Sequence, residues 1–136
     1  MSAGRPGAEL PLTKAQEALW ASQRIHPQAP LYNMAFVFHV DGSVDEQAFV
    51  RAFEQLVVEA DALRTVIVTT DGVASQRIMD AMPEPIEVVD LTDAADPDPA
   101  GAWAQKRCAV PLDIEHRTYD SALLRLPAGR YAWYLN

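Results

Sequence analysis

Hairpin-spaced strands, helices with their own start signals and a hydrophobic pattern that switches between two periods predict an α+β domain, a mixed β-sheet packed with helices. With 136 residues, 49% of them hydrophobic, the chain forms one unit with enough apolar material for a core. Its charged share of 22% is ordinary for a folded domain.

Residues 1–9 are rich in glycine and proline and read as a flexible leader. Thr13 with Gln16 spells a capping box, so a helix starts at Lys14 and runs to about Arg24, with Ala15, Ala18, Leu19 and Ser22 inward. Pro27 and Pro30 stop it. Tyr32 to Val40 reads as a strand that is apolar on both faces, as a strand buried on two sides would be. Ser43 with Glu46 forms a second capping box. It opens an amphipathic helix that places Ala48, Phe49, Ala52, Phe53, Leu56, Val57 and Ala60 on one face.

The run Arg64 to Thr70 is β-branched, Asp71-Gly72 is a hairpin turn, and Val73 to Met79 returns. Pro83 and Pro85 punctuate before a short strand from Ile86 to Leu91. Asp90 to Pro99 is an acidic, proline-bearing loop. Asp98 then caps a helix with Pro99 at its first position, running to about Val110. Strands at Ser121–Leu126 and Arg130–Asn136, joined by Pro127-Ala128-Gly129, close the chain.

Composition excludes several function classes. A net charge of −8, with basic residues scattered singly apart from Lys106-Arg107, is unsuited to nucleic acid. No apolar run is long enough to span a membrane, and the start lacks the apolar core of a secretory signal. A single cysteine, Cys108, allows no intrachain disulfide, which fits a cytoplasmic location.

His26, His39 and His116 stand apart from one another and from Cys108, so no metal-ligand spacing appears. His39 reads as a strand residue facing a neighbouring element, His116 as exposed, and Cys108 as a half-buried structural thiol. Asp90, Asp93, Asp96 and Asp98 lack the glycine and terminal glutamate of a calcium loop. Trp20, Phe36, Phe38, Phe49, Phe53, Trp103 and Trp133 fit core packing better than base stacking, which needs a basic groove. On its residues alone, the chain carries no catalytic constellation.

Two short stretches say more together. Thr13-Lys14-Ala15-Gln16-Glu17-Ala18-Leu19-Trp20 resembles the first motif of nonribosomal peptide synthetase condensation domains, with Thr13, Ala15, Gln16, Leu19 and Trp20 carrying the match. Ala62-Leu63-Arg64-Thr65 resembles the second motif through Leu63, Arg64 and Thr65, whereas Glu59 and Ala60 depart from it. Pro30-Leu31-Tyr32-Asn33 is similar to the family's entry into its first strand, and Tyr119 to Asn136 to the strands before its catalytic loop.

The resemblance implies a chloramphenicol acetyltransferase-like lobe over residues 10–136. It also implies amide formation between a carrier-bound acyl or aminoacyl donor and a carrier-bound aminoacyl acceptor. The family's His-His-x-x-x-Asp-Gly motif is expected just after Asn136, so this amino-terminal piece alone would be inactive within an acyltransferase-type parent enzyme. Arg64 is implied to support the catalytic loop by pairing with the Asp of that motif; without it, Arg64 should turn to solvent or find Asp61 or another acid. The first helix is implied to shape the donor side of a tunnel.

Partners would be carrier proteins bearing phosphopantetheine arms and the remaining lobe, with no cofactor bound directly. A first domain taking a fatty acyl donor fits the lack of a docking helix before Leu10. The alternatives are a self-contained carrier-docking module and a relative that epimerises, cyclises or forms esters. An apolar terminal strand left open at its edge is expected to pair with a second copy.

Overall fold

A computed structural model of the chain describes Gly7, residues 9–81 and residues 84–136. The expected leader lies outside the described residues except for Gly7 and Glu9, and these two are tied down. The Gly7 N–H donates to the Ile78 carbonyl at 2.9 Å, and Glu9 begins a strand, β1 (Glu9–Pro11), that the sequence does not announce. The Pro83 turn also lies outside the described residues.

The helix α1 (Lys14–Ile25) opens on the expected capping box: the Thr13 hydroxyl accepts from the Gln16 N–H, and Gln16 Oε1 accepts from the Thr13 N–H at 2.8 Å. Strand β2 (Phe36–Val40) follows, then α2 (Glu46–Glu59), a 3₁₀ turn (Asp61–Arg64), and the hairpin of β3 (Thr65–Thr70) and β4 (Val73–Ile78). Both turn residues, Asp71 and Gly72, have positive φ (51° and 79°), the geometry that brings Thr70 opposite Val73. Next come β5 (Glu87–Asp90), α3 (Pro99–Cys108), β6 (Ser121–Leu126) and β7 (Arg130–Leu135). The Asp98 carboxylate caps α3 by accepting from the Gly101 N–H at 3.0 Å, and a Cβ at position 101 would collide with that carboxylate.

The α+β class holds, but the strands divide into two sheets. An antiparallel sheet has the order β1-β4-β3, and a mixed sheet has the order β2-β7-β6-β5 with β5 parallel to β6. Helices cover both faces of the mixed sheet. Ala100, Trp103 and Ala104 of α3 pack on Ala122, Leu124, Ala132 and Tyr134. Phe49, Phe53 and Val57 of α2 pack against Ile86, Tyr119 and Trp133 on the other face.

Several expectations are corrected here. Two-sided burial belongs to β6; β2 is an edge strand, with Phe36 55% and Phe38 46% exposed. Alternation along a strand reports that both faces are apolar, not whether a neighbour covers them. Phe38 still packs on Trp133 (ring centroids 5.3 Å apart), but it and Phe36 are not core. His39 on the same strand is exposed.

The helix α2 is capped by Asp45, whose carboxylate accepts from the Ala48 N–H, and not by Ser43. Its inward stripe is rotated to Phe49, Val50, Phe53 and Val57, leaving Ala48, Ala52 and Leu56 exposed. The terminal strand β7 pairs with β2 on one side and β6 on the other, so its backbone offers no open edge to a second copy.

Freed from capping, Glu46 accepts from Arg125 through both oxygens and from the Tyr131 hydroxyl at 2.9 Å. Arg125 first, then Tyr131, holds the Glu46 carboxyl below the usual carboxylate range despite an opposing desolvation. Its folded pKa lies below its unfolded one, so this stabilisation is present above the unfolded value and is lost as pH falls through the folded value. Glu46→Gln should lower the melting temperature at pH 7 by about 2–4 °C, an effect limited by solvent screening. The gap from the parent chain should close below about pH 4; a gap that persists at pH 3 would show that charge is not its source.

Candidate functional site

A cavity of about 460 Å³ opens between α1, β3, β4 and the segment after α3. Gln16, Leu19 and Trp20 form its α1 wall, and Thr65, Ile67 and Ile114 face them. Residues of the two short motifs, remote in sequence, thus meet on one mostly apolar space. That role explains why α1 has no fully buried residue. The sequence places Ala15, Ala18 and Leu19 inward, yet Ala15 and Ala18 are exposed and Leu19 is 43% exposed at the cavity.

Gln16 fixes the rotation of α1. Its Oε1 closes the capping box while its Nε2 donates to Gln76 Oε1 at 3.1 Å, and Gln76 Nε2 in turn donates to the Pro11 carbonyl at 3.0 Å. Glutamate would serve the capping box as well but has no donor for Gln76. The far end of α1 is tied by Gln23 Nε2 to the Ala29 carbonyl at 3.0 Å, and the Arg24 guanidinium lies 5.2 Å from the Trp20 ring centre. Asn33 braces the loop beyond, donating to the Cys108 and Val110 carbonyls at 2.7 and 2.8 Å. Sequence reasoning passes over Gln23 and Gln76, and it names Asn33 only as part of the stretch Pro30–Asn33; single polar side chains give no periodic signal.

The other motif residues have structural roles, and of these Thr65 also lines the cavity. Thr13 caps α1, Leu63 packs on the α2 cluster, and Thr65 donates its hydroxyl to the Asp61 carbonyl at 2.8 Å while lining the cavity. Arg64 is 8% exposed and faces away, into a second hollow with Phe53, Val57 and Tyr119. Of the two fates expected for it, Arg64 takes the acid: Nη2 meets Asp61 Oδ1 at 2.6 Å, Nε donates to the Val57 carbonyl at 3.1 Å, and Nη1 to the Met79 carbonyl at 2.6 Å. Five guanidinium N–H groups serve three partners, leaving donors for one more acceptor.

A further polar cluster sits where β6 begins and β7 ends. Asp120 is 5% exposed, receives Arg107 at 2.6 and 3.1 Å and Arg117 at 3.5 Å, and exchanges two 2.8 Å backbone hydrogen bonds with Asn136. Asp120 holds the Arg107 guanidinium more firmly protonated than usual. Among the described residues no group of three or more His, Cys, Asp and Glu could hold a metal ion. No described helix is long and apolar enough to cross a membrane. His116 is exposed, 3.9 Å from Glu84, and Cys108 is half-buried as expected.

Helices on both faces of a mixed sheet, with a motif-lined cavity beside it, define a lobe of the chloramphenicol acetyltransferase-like fold. The family model described as Condensation domain matches residues 7–136, and the chain belongs to that family. It is similar to the isonitrile lipopeptide synthase of Streptomyces coeruleorubidus, 35% identical over 91% of this chain and 9% of that protein. It is also similar to a linear gramicidin synthase of Brevibacillus parabrevis, 32% identical over 94% of this chain and 3% of that one.

Among solved structures, the starter condensation domain of rhizomide synthetase superposes with a TM-score of 0.85 at 30% identity, covering 94% of this chain and 32% of that one. The first condensation domain of the calcium-dependent antibiotic synthetase, in complex with a substrate analogue, gives 0.81 at 25% identity, covering 94% and 32%. The chain therefore spans about a third of these solved domains and under a tenth of these synthases.

Proposed function

We propose that this chain is the amino-terminal lobe part, over residues 10–136, of a condensation domain that forms an amide bond in nonribosomal peptide biosynthesis. The donor is a carrier-bound acyl or aminoacyl group and the acceptor a carrier-bound amino acid. The observation that carries this reading is the convergence of Gln16, Leu19 and Trp20 with Thr65 on one apolar cavity. Its size lies within the usual range for small-molecule sites. Carrier proteins would deliver both substrates on phosphopantetheine arms, so the chain binds no cofactor of its own. The remaining lobe is the second partner.

Within that reading Arg64 is a positioning residue. Its spare donors suit a carboxylate of the catalytic loop, as the second motif implies. The apolar lining also favours a fatty acyl donor, which is supported by likeness to a starter condensation domain solved in complex with C8-CoA.

The test uses the complete condensation domain with both carrier proteins loaded and follows amide product by mass. Ala62 lies at the cavity rim, and Ala62→Trp should cut product formation at least about tenfold, with the melting temperature held within about 2 °C. Lengthening an acyl donor by one methylene should raise its relative rate about threefold until the cavity is full. Undiminished turnover by Ala62→Trp would remove the cavity from the donor path. Absence of amide product from the unaltered domain would remove the reaction itself.

A further inference from the structure

Tyr134 and Asn136, at the end of β7, carry buried polar atoms that no other described residue satisfies: the Tyr134 hydroxyl and both Oδ1 and Nδ2 of Asn136, which approach one another without a well-formed hydrogen bond. Tyr134 is fully buried, with the Trp103 ring edge-on at 5.2 Å. Burial first, then the Asp120 anion, pushes its hydroxyl up to about 12, so it remains a neutral group that both donates and accepts. Buried donors and acceptors without partners cost about 1–3 kcal/mol each, which makes a set of them together a sign of an occupant.

The frame around them is rigid. Asn136 is clamped to Asp120 by the reciprocal 2.8 Å backbone bonds, and Arg107 and Arg117 hold the Asp120 carboxylate. The occupant must offer a donor and an acceptor and reach the tip of a strand paired on both sides. A backbone peptide group satisfies all of these conditions. Asparagine is a residue whose side chain caps the backbone two positions on, in an Asx-turn.

We propose that the Asn136 carboxamide and the Tyr134 hydroxyl form a socket for backbone peptide groups of the segment that continues from β7 in the complete condensation domain, and so set that segment's exit direction. This rests on the condensation-domain reading. In it, Asn136 Oδ1 accepts from the peptide N–H two residues on, and Nδ2 and the Tyr134 hydroxyl donate to carbonyls of the same segment. Both are positioning residues, since the segment is where the family's His-His-x-x-x-Asp-Gly motif is expected.

Hydrogen exchange on the complete domain tests the socket without relying on catalysis. Asn136→Ala should lower protection of the amides just after β7 at least about tenfold, while Asn136→Asp, which keeps the acceptor, should retain most of it. With loaded carriers, Asn136→Ala and Tyr134→Phe should each lower kcat at least about tenfold, leaving KM for the carriers within about twofold. In the 136-residue chain, Tyr134→Phe should leave the melting temperature unchanged or higher.

Unaltered protection in Asn136→Ala would overturn the socket. So would equal melting losses for Tyr134→Phe in the chain and in the domain, which would mark a bridging water instead. An unaltered domain that makes no amide yet shows the Asn136-dependent protection would sustain the socket while removing the reaction.

Discussion

Arg64→Ala is expected to destabilise the chain by about 3 kcal/mol, read as a lower denaturation midpoint in urea with an unchanged slope. The guanidinium closes three structures at once. Its Nε–H reaches the Val57 carbonyl in the last turn of α2, Nη1 the Met79 carbonyl beyond β4, and Nη2 the Asp61 carboxylate at the start of the 3₁₀ turn. The last turn of α2 holds no basic residue of its own, so Arg64 supplies the positive charge that a helix C-terminus favours.

Asp61 keeps 35% of its side chain exposed and can rehydrate, so most of the loss comes from the two carbonyls rather than from the ion pair. Lysine carries the same charge on a single nitrogen and cannot span the three acceptors, so Arg64→Lys should recover less than half of the stability. In the complete domain, Arg64→Ala should also abolish amide formation at temperatures where the protein stays folded. A folded variant with unchanged turnover would reduce Arg64 to a structural brace.

The hairpin at Asp71-Gly72, the Thr13 capping box and the Asp98-Pro99 helix start were legible because each is fixed by neighbours close in sequence. Lateral position was not. The run Phe36-Val37-Phe38 reads as core, yet β2 lies at the sheet edge, because a strand's place in a sheet is set by which strands pair with it and not by its own residues. The cap of α2 falls on Asp45 rather than Ser43 for a related reason: Arg125 and Tyr131, distant in sequence, draw Glu46 away from the capping role it would otherwise fill.

The candidate site was legible in half. Motif resemblance picks out Gln16, Leu19, Trp20 and Thr65, which do meet. It groups with them Leu63 and Arg64, which face the opposite side, since a 3₁₀ turn sends consecutive side chains in different directions.

Asp120→Ala is expected to cost about 3 kcal/mol at pH 7, near the lower end for breaking a buried ion pair. The carboxylate is almost wholly enclosed, and removing it leaves Arg107 only the more exposed Glu87 at 3.4 Å and Arg117 only Glu84 at 3.8 Å. Arg117 keeps only 18% of its side chain exposed and rests 5.4 Å from the Tyr119 ring centre, so it has little room to recover water. Arg107 is 38% exposed and stacks 5.5 Å from the Trp103 ring centre, so it can swing outward, which keeps the loss below the full penalty.

Asp120→Asn preserves shape and one acceptor and should lose roughly half as much. A double-mutant cycle with Arg107→Ala should give a coupling of about 1–2 kcal/mol; additive losses would show that Asp120 matters through its backbone alone. The distinction has a consequence at the end of β7. The peptide of Asp120 holds that of Asn136 through the paired 2.8 Å bonds, so a side chain locked by Arg107 and Arg117 fixes the strand end from which the proposed socket works. If the coupling is present, Asp120→Ala in the complete domain should loosen the segment after β7 as Asn136→Ala does.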